Sequence, residues 1–237
     1  MRTYLFTPVF AVLAITSFAR GEDDAPPPRW NTTVECEMVI LRQKDALALL
    51  PDLLDEKKIE GAYARIQQLI GSGKAQLAAS LIAKLRDQEK GVAETVEEVR
   101  YATDFDPPNV PQDVPESVAA LKNWPIVGIT PTSFETRKVG ATIQVEQKVS
   151  VDGALLEVSC STEHVRFLRW EKVDCGKLVD GNRLFIEQPV FHAMKDTGSF
   201  ALENGKRVLI GSHKVPDAQE RIELFLFKAK ALSAQKR

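Results

Sequence analysis

The chain has 237 residues, 44% of them hydrophobic, with 31 basic and 33 acidic side chains and a formal charge of −2. That length suits one large core or two small ones, and the near-balanced charge argues against nucleic acid or an anionic membrane surface as a partner. The 3 cysteines, Cys36, Cys160 and Cys175, allow at most one internal disulfide.

The first element reads as an export signal over residues 1–19. Arg2 supplies a positive start, Tyr4 to Phe18 carries no charge, and Ser17-Phe18-Ala19 puts small residues where a signal peptidase reads, with Ala19-Arg20-Gly21 as a second option. A retained membrane anchor is the competing reading. A spanning helix needs about 20 apolar residues, and this run is shorter and contains Pro8. No cysteine follows it, so no lipid anchor is expected. Residues 20–30 form an acidic, proline-rich leader expected to be extended. Asn31-Thr32-Thr33 fits a glycosylation acceptor, a triplet common by chance.

Val34 to Leu41 alternates and then runs apolar, as a buried strand does. Lys44 to Leu50 reads as helical and is cut by Pro51. Lys57 to Ile70 is the clearest helix, with Ile59, Ala62, Tyr63, Ile66 and Ile70 at three- and four-residue spacing and Gly71 as its stop. Gln76 to Leu85 and Gly91 to Thr103 read as two strands joined by a turn, which completes an N-terminal part over 31–103. The 104–133 stretch holds Pro107, Pro108, Pro111, Pro115, Pro125 and Pro131 and reads as an irregular connection, because proline cannot donate to a sheet ladder.

From 134 to 232 the signal is β. Val139, Ala141, Ile143 and Val145 alternate with polar residues, and Asp152-Gly153 is a hairpin turn signal before the return strand Ala154 to Cys160. Val165 to Val173, Leu184 to Gln188, Gly198 to Leu202, Arg207 to Ile210 and Ile222 to Ala229 follow as strands, with turn chemistry at Asp180-Gly181-Asn182 and Glu203-Asn204-Gly205. The pattern predicts an α+β fold, mainly antiparallel sheet or sandwich, with one or two helices in the N-terminal third. In the last strand Phe225 and Phe227 share one face, and Ile222, Leu224 and Leu226 the other. Such a strand is central in a sandwich or buried against another subunit.

Chemistry-bearing patterns are missing from the sequence. His164, His192 and His213 stand apart from any metal-ligand spacing, and the cysteines lack C-x-x-C spacing. Gly71-Ser72-Gly73-Lys74 follows a helix and reads as helix termination instead of a phosphate loop, and no G-x-S-x-G elbow is present. No catalytic residue, metal ligand or cofactor is expected, and an enzyme has no support. Cys160 and Cys175 flank a plausible hairpin and are the expected disulfide pair. The alternative is three buried thiols packing as small apolar groups.

Three stretches resemble the β-domain of bacterial secretins, the outer-membrane channel family of type II and III secretion and type IV pili. Arg137 to Val145 followed by Val151 to Val158 is similar to the family's R-x-V-G-x-x-L-x-V and DG-x-I-x-L-x-I run. Gln188-Pro189-Val190-Phe191 and Thr197 to Gly211 resemble its T-x-V-x-L-x-D-G hairpin, and Ala78 to Tyr101 resembles the strand–turn–strand before the membrane hairpins. In this pattern Gly140 stands where a neighbouring backbone comes close, Asp152 and Gly153 make a turn, Asn204 and Gly205 make a tight hairpin, and Gly211 ends the return strand. Ser212 stands where the family has a second glycine. The resemblance implies the secretin core fold and a non-enzymatic component of a secretion or pilus system, acting by β-domain assembly at the outer membrane. Its partners would be itself or the secretion machinery, and its location the periplasm or the periplasmic face of the outer membrane. The alternative is an exported periplasmic scaffold or binding domain with this fold and no pore.

Overall fold

The computed structural model describes residues 30–107, 128–177, 182–216 and 220–233. The expected export signal, nearly all of the leader and most of the proline-rich stretch lie outside these residues. The described chain runs β1 (Trp30–Arg42), α1 (Gln43–Leu53), α2 (Ile59–Gly71), β2 (Ala75–Arg86), β3 (Lys90–Asp106), β4 (Thr130–Val149), β5 (Leu155–Lys177), β6 (Arg183–Glu203), β7 (Arg207–Lys214) and β8 (Arg221–Ser233). The strands form two four-stranded sheets, sheet A in the order β2-β1-β8-β7 and sheet B in the order β3-β4-β5-β6, with every pairing antiparallel. The α+β, mainly antiparallel expectation is met.

The layers follow from side-chain alternation. Along β1, Val34, Cys36 and Met38 face sheet B in one apolar cluster, whereas Val39 and Leu41 face the helices in a second. Between Met38 and Val39 the register with β2 shifts, a bulge that accompanies the change of face. In β8, Phe225 and Phe227 enter the inter-sheet cluster and Leu224 and Leu226 the helix-side cluster, all fully buried. The two-faced apolar strand is therefore central within one chain. Helices α1 and α2 cover one side of sheet A, and sheet B covers the other.

Helix α1 continues past Pro51, where the sequence suggested a break. Leu53 is buried in the helix-side cluster, and its burial holds the last turn despite the hydrogen bond the proline cannot make. Helix α2 matches its periodicity, burying Ile59, Ala62 and Ile66.

Strands of sheet B are much longer than the sequence suggests. The separate segments read at Ala154–Cys160 and Val165–Val173 fuse into β5, of 23 residues, with register shifts between Phe167 and Arg169 and between Asp174 and Gly176. Those at Leu184–Gln188 and Gly198–Leu202 fuse into β6, of 21 residues, through Pro189. An edge strand tolerates that proline because its missing N–H can face away from the ladder. Strands β3 and β4 likewise run into the proline-rich stretch, with Phe105 opposite Pro131.

The Cys160–Cys175 disulfide is corrected by this geometry. Both residues lie in β5, towards opposite ends of one strand, and all three cysteines are free. An extended strand rises about 3.3 Å per residue, which holds the pair far beyond the roughly 5.5 Å Cα separation of a disulfide.

Candidate functional site

Consecutive strands change sheets at two turns, and this sets where the open edges lie. Strand β2 is an edge of sheet A and β3 an edge of sheet B, joined by the short turn at Asp87–Glu89. Strands β6 and β7 are the opposite edges, joined at Asn204–Lys206. One flank of the sandwich thus carries β2 and β3, and the other carries β7 and β6. With four antiparallel strands in each sheet, the two edges of a sheet run in opposite directions.

Side-chain hydrogen bonds to distant segments pin both turns. At the first, Val149 N donates to Asp87 Oδ1 at 2.8 Å and Gln147 Nε2 donates to Arg86 O at 2.9 Å. At the second, Asn204 Nδ2 donates to Gly153 O at 2.9 Å and to Ala231 O at 3.0 Å, while Ala231 N donates to Asn204 Oδ1 at 2.8 Å. The expected tight hairpin at Asn204-Gly205 is corrected. The turn crosses between sheets, and of the two residues only Gly205 has positive φ, at 84°.

Asp152 and Gly153 make the expected β4–β5 turn. Asp152 Oδ1 accepts from Ser150 Oγ at 2.5 Å and Ala154 N at 3.1 Å, and these bonds, the Ser150 hydroxyl first, hold its carboxyl below the usual range. Gly153 has φ +74°, and a Cβ there would lie 2.4 Å from the Trp30 ring.

Two histidine–carboxylate pairs cross between the sheets. His164 Nδ1 on β5 lies 2.6 Å from Glu223 Oε1 on β8, and His213 Nε2 on β7 lies 2.6 Å from Asp196 Oδ2 on β6. His213 and Glu223 are themselves register partners. Gly211, expected to end its strand, sits inside β7 and leaves the space that the Asp196 carboxylate occupies. Sequence reading missed both pairs. The one available signal was Glu223, the lone acid of β8, set directly before the apolar run Leu224–Phe227.

Gly140 marks a branch. Register between β4 and β5 ends at Gly140 opposite Val165, although β4 stays paired with β3 to Thr130 and β5 with β6 to Lys177. Gly140 has φ +133°, and a Cβ there would lie 2.2 Å from Thr95 O. The close backbone approach implied by the sequence is present. Beyond the branch, sheet B divides into a β3–β4 ribbon and a β5–β6 ribbon. They touch through Tyr101 and Phe191, with ring centroids 5.9 Å apart, Arg137 over Phe191 at 5.9 Å, and Gln188 Nε2 donating to Ala102 O at 3.3 Å. Phe167 stacks between Phe191 and Trp170. Phe134, Trp170, Val173 and Phe185 remain exposed on the ribbons.

The remaining chemistry is sparse. No group of three or more His, Cys, Asp or Glu is arranged for a metal among the described residues. Burial pushes the Cys36 thiol up to about 12 and the Cys160 thiol up to about 11, which makes both inert. Among the described residues no helix is long and apolar enough to cross a membrane.

No family model and no curated protein matches this sequence. Among solved structures the chain is similar to bacterial secretins. It is 11% identical to the type II secretion system secretin GspD of E. coli K12, covering 86% of this chain and 50% of that one, with a TM-score of 0.42. Against the InvG secretin domain β-barrel of the Salmonella SPI-1 injectisome the values are 10%, 87%, 62% and 0.38. Against PulD in the Klebsiella pneumoniae type II outer-membrane complex with PulS and the PulC HR domain they are 11%, 88%, 41% and 0.41. The chain thus spans about half the length of the GspD chain it matches.

Proposed function

We propose that this chain is a non-enzymatic, secretin-like wall element that assembles with further copies of itself in a bacterial secretion or pilus system. The observation that carries the reading is the pairing of open edges. A single head-to-tail placement sets β6 of one copy beside β3 of the next, and at the same time β7 beside β2. Both junctions are antiparallel, so each would continue the ladder of its own sheet. Exposed edge strands are templates for exactly this kind of addition. A head-to-tail interface generates a ring where the rotation closes. The motifs around Gly140, Asp152-Gly153 and Gly211 support the same family on independent grounds.

The proposed location is the periplasm or the periplasmic face of the outer membrane, reached through the signal at 1–19. The outer face of sheet B on the core side of Gly140 supports a position beside the bilayer for that part of the sheet. Register places Thr142, Gln144, Ser159, Ser161, Thr197 and Ser199 there, with Ser159 and Ser199 hydroxyls 2.7 Å apart. A spanning strand presents an apolar band to lipid over about 9–11 residues, and this face does not. That observation also favours a second reading, a periplasmic scaffold that keeps the edges and has no pore.

Analytical ultracentrifugation and negative-stain microscopy of the purified chain test the proposal. Discrete multimers that appear as rings are expected. A monomer at every concentration and in every detergent tried overturns assembly and leaves the scaffold.

A further inference from the structure

We propose that the distal half of the β3–β4 ribbon is an intersubunit pairing arm, latched in the single chain onto its own β5–β6 ribbon and released about Gly140 when a second copy adds. This rests on the ring reading above and names the surface that gates it.

Two observations point to an arm. Pairing of β4 with β5 stops at Gly140 and Val165, yet both strands continue, β4 back to Thr130 and β5 on to Lys177. Two inner edges of similar length are thus left without each other, and main-chain groups on such edges gain by pairing. The residue at the stop is a glycine at φ +133°. Only glycine adopts that conformation freely and also the ordinary extended one, so Gly140 can serve both the branched sheet and a continuous four-stranded wall.

The latch has the character of a reversible contact. Register puts Tyr101 and Arg137 on one face of the β3–β4 ribbon, and Phe167 and Phe191 on one face of the β5–β6 ribbon. The faces meet through a tilted ring pair, a guanidinium over a ring and one amide-to-carbonyl bond. None of the four side chains is among the fully buried ones. The Gln188 amide occupies a main-chain acceptor of β3, an edge strand, at Ala102. With the ribbons stacked, β3 beyond the branch lies against its own β6. A ring requires that length of β3 to lie beside a neighbour's β6.

A cross-link decides the matter. Ala102→Cys with Gln188→Cys, in a Cys175→Ser background, is oxidised as the full chain and its thiols are counted by mass. The oxidised form is expected to lose assembly and to regain it on reduction. Glu94→Cys with Thr142→Cys, register partners in β3 and β4 on the core side of Gly140, is expected to assemble in both states. Rings from the oxidised 102–188 variant overturn the arm and leave the ring reading standing. Failure of that disulfide to form in the single chain also overturns it, because the stacked contact is then not there. Monomers from both the reduced variant and the unmodified chain overturn the ring reading, and the arm with it.

Discussion

The Asp196 carboxylate occupies the space where a side chain at Gly211 would begin: a Cβ built there lies 1.9 Å from Asp196 Oδ2, the oxygen that meets His213 Nε2. Glycine at 211 is thus what allows β6 of one sheet to reach the histidine of the other. Gly211→Ala is expected to displace the flexible carboxylate and break the pair, as His213→Ala does. Both variants remove one interaction, so the double variant should cost less than the sum of the singles, with a coupling of about 0.5–3 kcal/mol. Urea unfolding of the four proteins measures it, and simple additivity would show that the glycine has no part in the pair.

Gly140 is constrained differently, by backbone. A residue forced to φ +133° there meets Thr95 O at 2.2 Å, and a carbonyl within a ladder cannot yield as a carboxylate does. Gly140→Ala is expected to lower stability by about 1–3 kcal/mol from backbone strain, with the clash adding to it. Gly198 has open space and no positive φ, so Gly198→Ala is the control and should be near neutral. Equal midpoints for the two variants would mean that the branch is not strained.

What the sequence displays well is periodicity. Helix α2 and the two faces of β8 follow from apolar spacing because each buries a defined stripe. Pairing across long separations leaves no such trace. Asn204-Gly205 has the chemistry of a turn wherever it occurs, but its partners at Gly153 and Ala231 decide that the turn joins two sheets. His164 is unremarkable in the sequence and meets Glu223 only when β5 covers β8. The full length of β5 is hidden because its far half is largely exposed on both faces. No alternation is imposed on Arg169 to Lys177, so the strand read there stops at Val173, and the mistaken cysteine pair came from breaking β5 between Cys160 and Val165.

Asn204 works as a piece of backbone held by a side chain, with its amide giving two hydrogen bonds and taking one. Asn204→Ala leaves Ala231 N and O without their partner and is expected to cost about 1–3 kcal/mol. Asn204→Asp keeps the acceptor for Ala231 N but sets a carboxylate against the carbonyls of Gly153 and Ala231. It should therefore be no better tolerated than alanine at neutral pH. Thermal unfolding of both variants checks this, and an aspartate variant as stable as the parent would show that the two donated bonds contribute nothing.

The thiols give a pH signature. Burial lifts Cys36 to about 12 and Cys160 to about 11 from an ordinary value of 9.0, so between these limits the folded chain holds protons that the unfolded chain has released. Fewer protons on the unfolded state make the slope of stability with pH negative. The contribution is complete below pH 9 and is lost as pH rises towards 11–12, at up to about 1.4 kcal/mol per pH unit for each thiol. Cys36→Ala with Cys160→Ala should flatten that alkaline decline even if it lowers stability at pH 7. At pH 8 a disulfide reagent should titrate only the exposed Cys175 in the native protein, and all three thiols in denaturant. Two or more reactive native thiols, or an unchanged alkaline slope in the double variant, would show that Cys36 and Cys160 are not sealed between the sheets.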